Sequence, residues 1–257
     1  MLMEERHRKI LDILAREKHV LVTNLASELK TSQATIRSDL NNMANQKLLI
    51  RTHGGASVID HNTILKDRTF NLRTQINQSQ KKTIAELAFQ QIRSGDAILI
   101  DGSSTCYELA KLLVQSNLKL TVLTNGFATA DLLKDSPNIT TILIGGVVKQ
   151  TSNAIESTLG ADILKKINIR KLFISAHSFS VENGLSDFNL YEVELKKLML
   201  ANTTEHFALV DSSKLEKTSS ISFANWSQIT YLITDNNINP AFLQKYQSLG
   251  LRILIGK

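Results

Sequence analysis

A single cysteine, Cys106, stands among the 257 residues of the chain. It can close no internal disulfide, and no cysteine-cluster metal site can be built around it. There are only two prolines and no Ser/Gly tract, which leaves no room for a long disordered linker. No apolar run approaches the roughly 18 residues of a membrane span. The opening residues, MLMEERHRKI, are charged and unlike a signal peptide. These absences predict a cytoplasmic protein without a membrane partner. What is present, 42% hydrophobic and 21% charged residues, suits one large α/β domain or two smaller ones.

The net charge of +6 is unevenly spread. Residues 1–57 carry nine Lys/Arg against six Asp/Glu, whereas residues 58–257 carry 21 against 18. Each segment is thus +3, but the first is far shorter. A basic terminal module suits a polyanion, since neutralised phosphates supply the sequence-independent part of nucleic-acid affinity. A solvated basic face would give the same count.

Ile10, Ile13 and Leu14 form an apolar stripe at helical spacing. TNLASELKTSQATIRSDLNNMANQ then reads as two helices around a break, with Leu25, Ala26 and Leu29 inward on the first. Ile36, Leu40 and Met43 face inward on the second, and Ser32 is placed as its N-cap. KLLIRTHGGASVI reads as two short strands joined near Gly54 and Gly55. Helix, helix-turn-helix and hairpin is the order of a winged helix-turn-helix. In such a unit the second helix meets base edges in the major groove. Gln33, Thr35, Arg37, Ser38 and Asn41 are left for its outer surface, and Arg51 and His53 sit where a wing could reach the flanking backbone. Gln can pair with adenine, Arg with guanine, and hydroxyls with bases or phosphates. The partner expected is double-stranded operator DNA.

Residues 58–76 lack a clean period and read as a connector. From residue 77 onward short apolar runs (AILID, LTVLTN, TTILIGG, KLFIS, FALVD, YLITD, LRILIG) alternate with helix-like stretches, notably 106–115, 127–134, 157–167 and 190–201. The alternation predicts βα units and a mainly parallel sheet covered on both faces.

In ILIDGSSTCYELAKLL a strand stops at Asp101 and a helix follows. Gly102 permits a tight turn, while Ser103, Ser104 and Thr105 offer hydroxyls and backbone N–H groups. Thr105 and Glu108 have capping-box spacing. A helix start at the carboxyl end of a strand is an anion seat, although a simple cap that holds nothing has the same sequence. Asn125 and Gly126, Gly145 and Gly146, and Ser212, Ser213 and Lys214 fall at other strand ends. They share one edge if the strands are parallel, and Lys214 is a cation of the kind a phosphate attracts. Asp101, Asp187, Glu192 and Asp211 can be arranged on paper as an acid–base set. His177 and His206 lack metal-ligand spacing, and a small buried role is expected for Cys106.

The first segment resembles the DeoR family of bacterial repressors of sugar metabolism. Ser32, Thr35, Ile36, Arg37, Asp39 and Leu40 match that family's recognition-helix core, with Ser38 in place of a second arginine. Arg51, His53, Gly54, Gly55 and Ala56 match its wing. Lys81, Ile84 and Ala85 match a further motif, with Gln80 replacing its Glu; IDGSST, LTN, IGG, STLG and VDSSK follow in the family's order. Ser103 replaces a loop glycine. The resemblance implies a winged helix-turn-helix over 1–57 and, over 77–257, a sugar-phosphate-sensing α/β effector domain similar to ribose-5-phosphate isomerase. It further implies that Gly102–Thr105 hold phosphate, with Asp101, Asn125 and Lys214 near the sugar. Fused to a DNA reader, such a domain is expected to sense rather than turn over. The expectation is a regulator, of the repressor kind, of a carbohydrate-utilisation operon, working as a homodimer or homotetramer without cofactor or metal. An isomerase-type enzyme with a DNA-binding arm, or a DNA-binding protein with a vestigial effector site, are the alternatives.

Overall fold

A computed structural model describes residues 3–17, 19–45, 49–52, 54–57, 70–149 and 152–256. The chain forms two compact units, Met1–Arg68 and Thr69–Lys257.

In the first unit α1 (Met3–Glu17) leads through β1 (His19–Leu21) to α2 (Val22–Glu28) and α3 (Gln33–Asn45), and β2 (Ile50–Thr52) and β3 (Gly55–Ser57) follow. Ile10, Leu14, Leu25, Ile36, Leu40 and Met43 meet in one cluster with at most 1% of their surface exposed. The apolar stripes read from the sequence therefore face one another, and each such side chain contributes about 1.5–3 kcal/mol by leaving water. The hairpin gains a strand not anticipated: β1 pairs antiparallel with β3, which also pairs with β2. A Cβ on Gly55 would overlap the Val20 carbonyl oxygen, so only glycine lets β1 and β3 approach. Lys30 closes α2 with a left-handed φ of 48°. There its N–H and that of Thr31 donate to the Ser27 and Ala26 carbonyls, the double bond of a Schellman ending.

The second unit opens with α4 (Phe70–Gln75), a helix where the sequence reads as connector. At six residues it is too short to show a period. It continues through α5 (Gln78–Phe89), β4 (Ala97–Ile100), α6 (Ser104–Val114), β5 (Leu120–Thr124), α7 (Phe127–Leu133), β6 (Ile139–Leu143) and β7 (Lys171–Ile174). Next come β8 (Ser178–Ser180), β9 (Gly184–Asp187), α8 (Leu190–Ala201), β10 (Glu205–Leu209), β11 (Ile221–Ala224), β12 (Tyr231–Thr234), α9 (Pro240–Ser248) and β13 (Ile253–Ile255). Seven strands form one sheet in the order β13-β12-β10-β7-β4-β5-β6, every pairing parallel. Ile98 and Ile100 pack on one face with Ile84, Leu109 and Leu113, while Leu99 packs on the other with Leu172, Val193 and Met199.

One expectation needs correction. Residues 157–167 hold only a short 3-10 turn, Ala161–Lys165; Ser157 sits at φ 84° and Gly160 is pressed against Gly145, which leaves too few residues for an α-helix. The unit also holds a smaller antiparallel sheet of order β11-β9-β8 beside the expected parallel one, whose hairpin signal is Asn183-Gly184, with Gly184 at φ 62°.

Candidate functional site

Helix α3 presents two chemically different faces. Ser32 caps it as expected, its Oγ accepting from the Thr35 N–H at 3.1 Å and lying 2.8 Å from the Thr35 hydroxyl. Gln33, Arg37, Ser38 and Asn41 are exposed and Thr35 is half-buried. Asp39, one residue beyond Ser38, is buried and accepts from Arg6 Nη2 at 3.0 Å, with His7 Nε2 at 3.1 Å. This pins α3 to α1 and fixes which face is offered outward. Arg51 Nε donates to the Asn41 side chain at 2.9 Å, and its guanidinium also reaches the Gly55 carbonyl. Arg51 thus ties the wing to α3. His53 lies outside the described residues.

At the sheet's carboxyl edge, β4 is the strand at which the chain reverses its direction of travel: β5 and β6 lie to one side, β7 and β10 to the other. Such a switch point is where open α/β sheets hold ligands. Asp101 follows β4 and is wholly buried. Its carboxylate accepts from the amides of Ser103 at 3.0 Å and Ser175 at 2.8 Å, so it shapes the loop. Asn125 accepts from the Gly102 N–H at 2.8 Å and donates to the Ile155 carbonyl at 3.1 Å; Gly102 and Gly126 touch through their backbones. The loops after β4 and β5 therefore meet. Gly145, beyond β6, is exposed, and a Cβ built on it would meet nothing within 4 Å.

The cap of α6 is Ser103, whose Oγ accepts from the Cys106 N–H at 3.2 Å; Thr105 was the expected cap. Asp101 holds Ser103 in the extended conformation a cap requires, and Glu108 pairs with Lys111 at 2.8 Å. The amides of Ser104 and Thr105 occupy the first turn, where no helix carbonyl can reach them. The Thr105 hydroxyl is buried without a hydrogen-bond partner among the described residues, and so is that of Ser175. Cys106 is a buried thiol held protonated, burial and then Asp101 pushing its pKa well up.

Lys196, on α8, was not foreseen. Fully buried, it donates to Asp187 at 2.9 Å and the Ser175 carbonyl at 3.1 Å, and lies 3.3 Å from Glu192 and 3.8 Å from Asp101. Burial opposes its charge, but Asp187, Glu192 and Asp101 outweigh that and raise its pKa. Burial raises the Glu192 pKa, while Lys196 outweighs burial at Asp187 and lowers it. Three of the four carboxylates considered for acid–base work thus share one lysine. Asp211 lies in the next loop, where it accepts from Asn77 at 3.1 Å. Lys214 donates to the Ala176 carbonyl at 2.8 Å, which brings the loop after β10 to that after β7; burial lowers its pKa.

Comparison with known proteins agrees with this division. Residues 6–62 match the DeoR-like helix-turn-helix domain and residues 76–236 the DeoR C terminal sensor domain. The HTH-type transcriptional regulator GolR of Listeria innocua is 38% identical over 98% of each chain. The lactose phosphotransferase system repressor of Lactococcus lactis is 31% identical over 95% of each. Ribose 5 phosphate isomerase A from Neisseria gonorrhoeae overlays with a TM-score of 0.40 at 14% identity, covering 52% of each chain. On the two domain matches and the full-length similarity to these regulators, the chain belongs to the DeoR family.

Proposed function

We propose that the protein is a cytoplasmic transcriptional repressor of a carbohydrate-utilisation operon whose operator affinity changes when a phosphorylated sugar binds its sensor domain. One observation carries the reading: the first turn of α6, with two amides beyond the reach of helix carbonyls and a Thr105 hydroxyl that has no partner among the described residues, lies at the sheet's switch point. A phosphomonoester brings about −1.5 to −2 charges and three acceptor oxygens to such a seat. In this reading Gly102, Ser103, Ser104 and Thr105 hold the phosphate, Lys214 supplies a cation, and Asn125, Gly126 and Gly145 line the neighbouring loops. Asp101 fixes their geometry. The Lys196 network supports recognition over turnover, because its ammonium and the loop amides engage the carboxylates an isomerisation would need free.

Ser32, Gln33, Thr35, Arg37, Ser38, Asn41, Arg51 and His53 form the proposed DNA-reading set. Two copies are needed for paired half-sites about one helical turn apart, so we place the protein as a homodimer or homotetramer. Exposed Val148 and Leu159 are consistent with association through the sensor domain.

Calorimetry against pentose and hexose phosphates, with gel-shift titration of operator DNA, tests the reading. Ser104→Ala with Thr105→Ala should weaken the sugar phosphate at least tenfold and leave ligand-free operator binding unchanged. If no phosphate binds, or the double variant binds equally well, the loop is only a helix cap.

A further inference from the structure

The parallel sheet ends at two very different edges. On one side β13 is three residues long, with Arg252 before it and Lys257 after it in the sequence. On the other stands β6, which pairs with β5 and with no further strand among the described residues. Sheets guard such an edge with lysine, proline, a bulge or a very short strand. β6 has none of these within ITTIL. The chain beyond it runs on as IGGVV, so that residues 139–148 contain neither a charge nor a proline.

The outer side of this edge is open to pairing. The Asn138 carbonyl accepts from the Leu120 N–H at 3.0 Å, and the Ile144 N–H donates to the Thr124 carbonyl at 2.8 Å. Even-numbered positions thus face β5, and the alternation of a parallel ladder turns the N–H and C=O of Thr141 and Leu143 the other way. The edge continues past β6. Val147 and Glu156 exchange backbone hydrogen bonds of 2.8 and 2.9 Å, and the Ile155 N–H donates to the Asn125 carbonyl at 2.7 Å. Residues 155–156 therefore lie inside and Val147 outside. Leu143, Val147, Val148 and Leu159 are 39%, 41%, 66% and 79% exposed, and Leu159 adjoins the others because Gly160 is pressed against Gly145.

A phosphorylated sugar has no apolar surface to match these side chains, whereas a second copy of the edge does. A strand set antiparallel to its own copy about a two-fold axis pairs each outward N–H with an outward carbonyl. With no charge along the edge, two identical faces meet without repulsion, as the core of an interface requires. Ten extended residues span about 33 Å at about 3.3 Å each. That length suits a contact of about 800 Å² per partner, the size of a stable interface.

We propose that β6 and its continuation to Val148, flanked by Leu159, form a two-fold interface with a second copy of the chain, joining two sheets edge to edge. The proposal rests on the placement of the protein as a homodimer or homotetramer and names the surface that makes it.

Sedimentation velocity of the full-length chain at micromolar concentration tests it. Wild type is compared with Thr141→Pro, a Val148→Lys/Leu159→Lys pair and Leu249→Lys. Thr141→Pro removes an outward N–H and no bond to β5, while the lysine pair sets like charges across the axis. Each should raise the dissociation constant at least tenfold, or reduce a tetramer to dimers. Leu249→Lys, exposed beyond the end of α9, should leave association within twofold of wild type. Urea unfolding shows which variants fold, and the lysine pair, which changes only exposed side chains, carries the test if the proline variant does not. A folded Thr141→Pro chain that associates normally overturns the strand pairing. Normal association of both edge variants overturns the interface and leaves the oligomer standing, made by another surface. Equal weakening by Leu249→Lys shows a general effect of charge and overturns the assignment as well. A monomeric wild type overturns both the interface and the oligomeric placement, and leaves this edge to a different protein.

Discussion

Gly102 and Gly126 meet backbone to backbone: a Cβ built on Gly126 would lie 2.9 Å from the Gly102 Cα. That Cβ would also lie 2.8 Å from the Thr129 hydroxyl oxygen, so the loops after β4 and β5 close on each other with no space for a methyl group. Gly126→Ala should destabilise the sensor unit by about 1–3 kcal/mol through overpacking and displace the amides of the α6 first turn. Urea unfolding of the full chain measures the first effect and phosphate calorimetry the second. Unchanged stability would show that the loops part readily.

Within the DNA-binding unit, Arg37 and Arg51 should behave differently. Arg37 is exposed on α3, and Arg37→Ala should cost about 1–3 kcal/mol of discrimination, as expected for a side chain that reads a base edge. Arg51 holds Asn41, so part of its effect should pass through that residue. Arg51→Ala and Asn41→Ala are expected to be non-additive, with the double variant binding operator nearly as well as the weaker single one. Gel-shift titrations of the four chains form the cycle, and full additivity would show that the pair acts independently on DNA.

Asp39 couples α3 to α1. Burial alone would raise its pKa, but hydrogen bonds from Arg6 and His7 outweigh burial and lower it. A lowered carboxylate pKa contributes stability in full above the ordinary value near 3.9, and that stability is lost as the pH falls through the folded value. Asp39→Asn should therefore destabilise the unit by about 1–3 kcal/mol at neutral pH and flatten its acid-side loss. Amide hydrogen exchange in α3 between pH 3 and 7 reads this directly, and equal acid sensitivity in both chains would assign the loss to other carboxylates.

Lys196→Met should cost about 3–5 kcal/mol, since it leaves buried carboxylates without their counter-charge. Asp187 and Glu192 would then favour their neutral forms, so their folded pKa values would rise. Stability of the variant should recover as the pH falls toward those values, and by more than the wild type, in which only Glu192 of the two has a raised pKa. Urea midpoints at pH 7 and pH 5 check the prediction; a variant equally weak at both would mean that packing dominates the loss.

Much of this architecture was legible from periodicity. Ile36, Leu40 and Met43 are inward because their spacing fits one helix face, and the strand-end loops share an edge because the strands are parallel. Residues whose roles arise from contacts distant in sequence were harder to see. Ser103, Ser104 and Thr105 are all competent caps, and the choice is made by Asp101, itself tied to Ser175. Lys196 and Lys197 are adjacent in sequence, yet only the packing of α8 buries Lys196 and leaves Lys197 pairing with Glu194 near the surface.

The pairing of β4 with β7 places Ile98 in register with Lys171, so the central strand waits for a partner made much later. Contacts of high sequence separation are slow to form, because loop closure must precede the contacts that offset it. The first unit, built from neighbouring helices and a small antiparallel sheet, carries no such delay. During synthesis the DNA-reading arm can thus be complete while the sensor is still unfolded, and the ligand control proposed for that arm would begin only once the last parallel strands are in place.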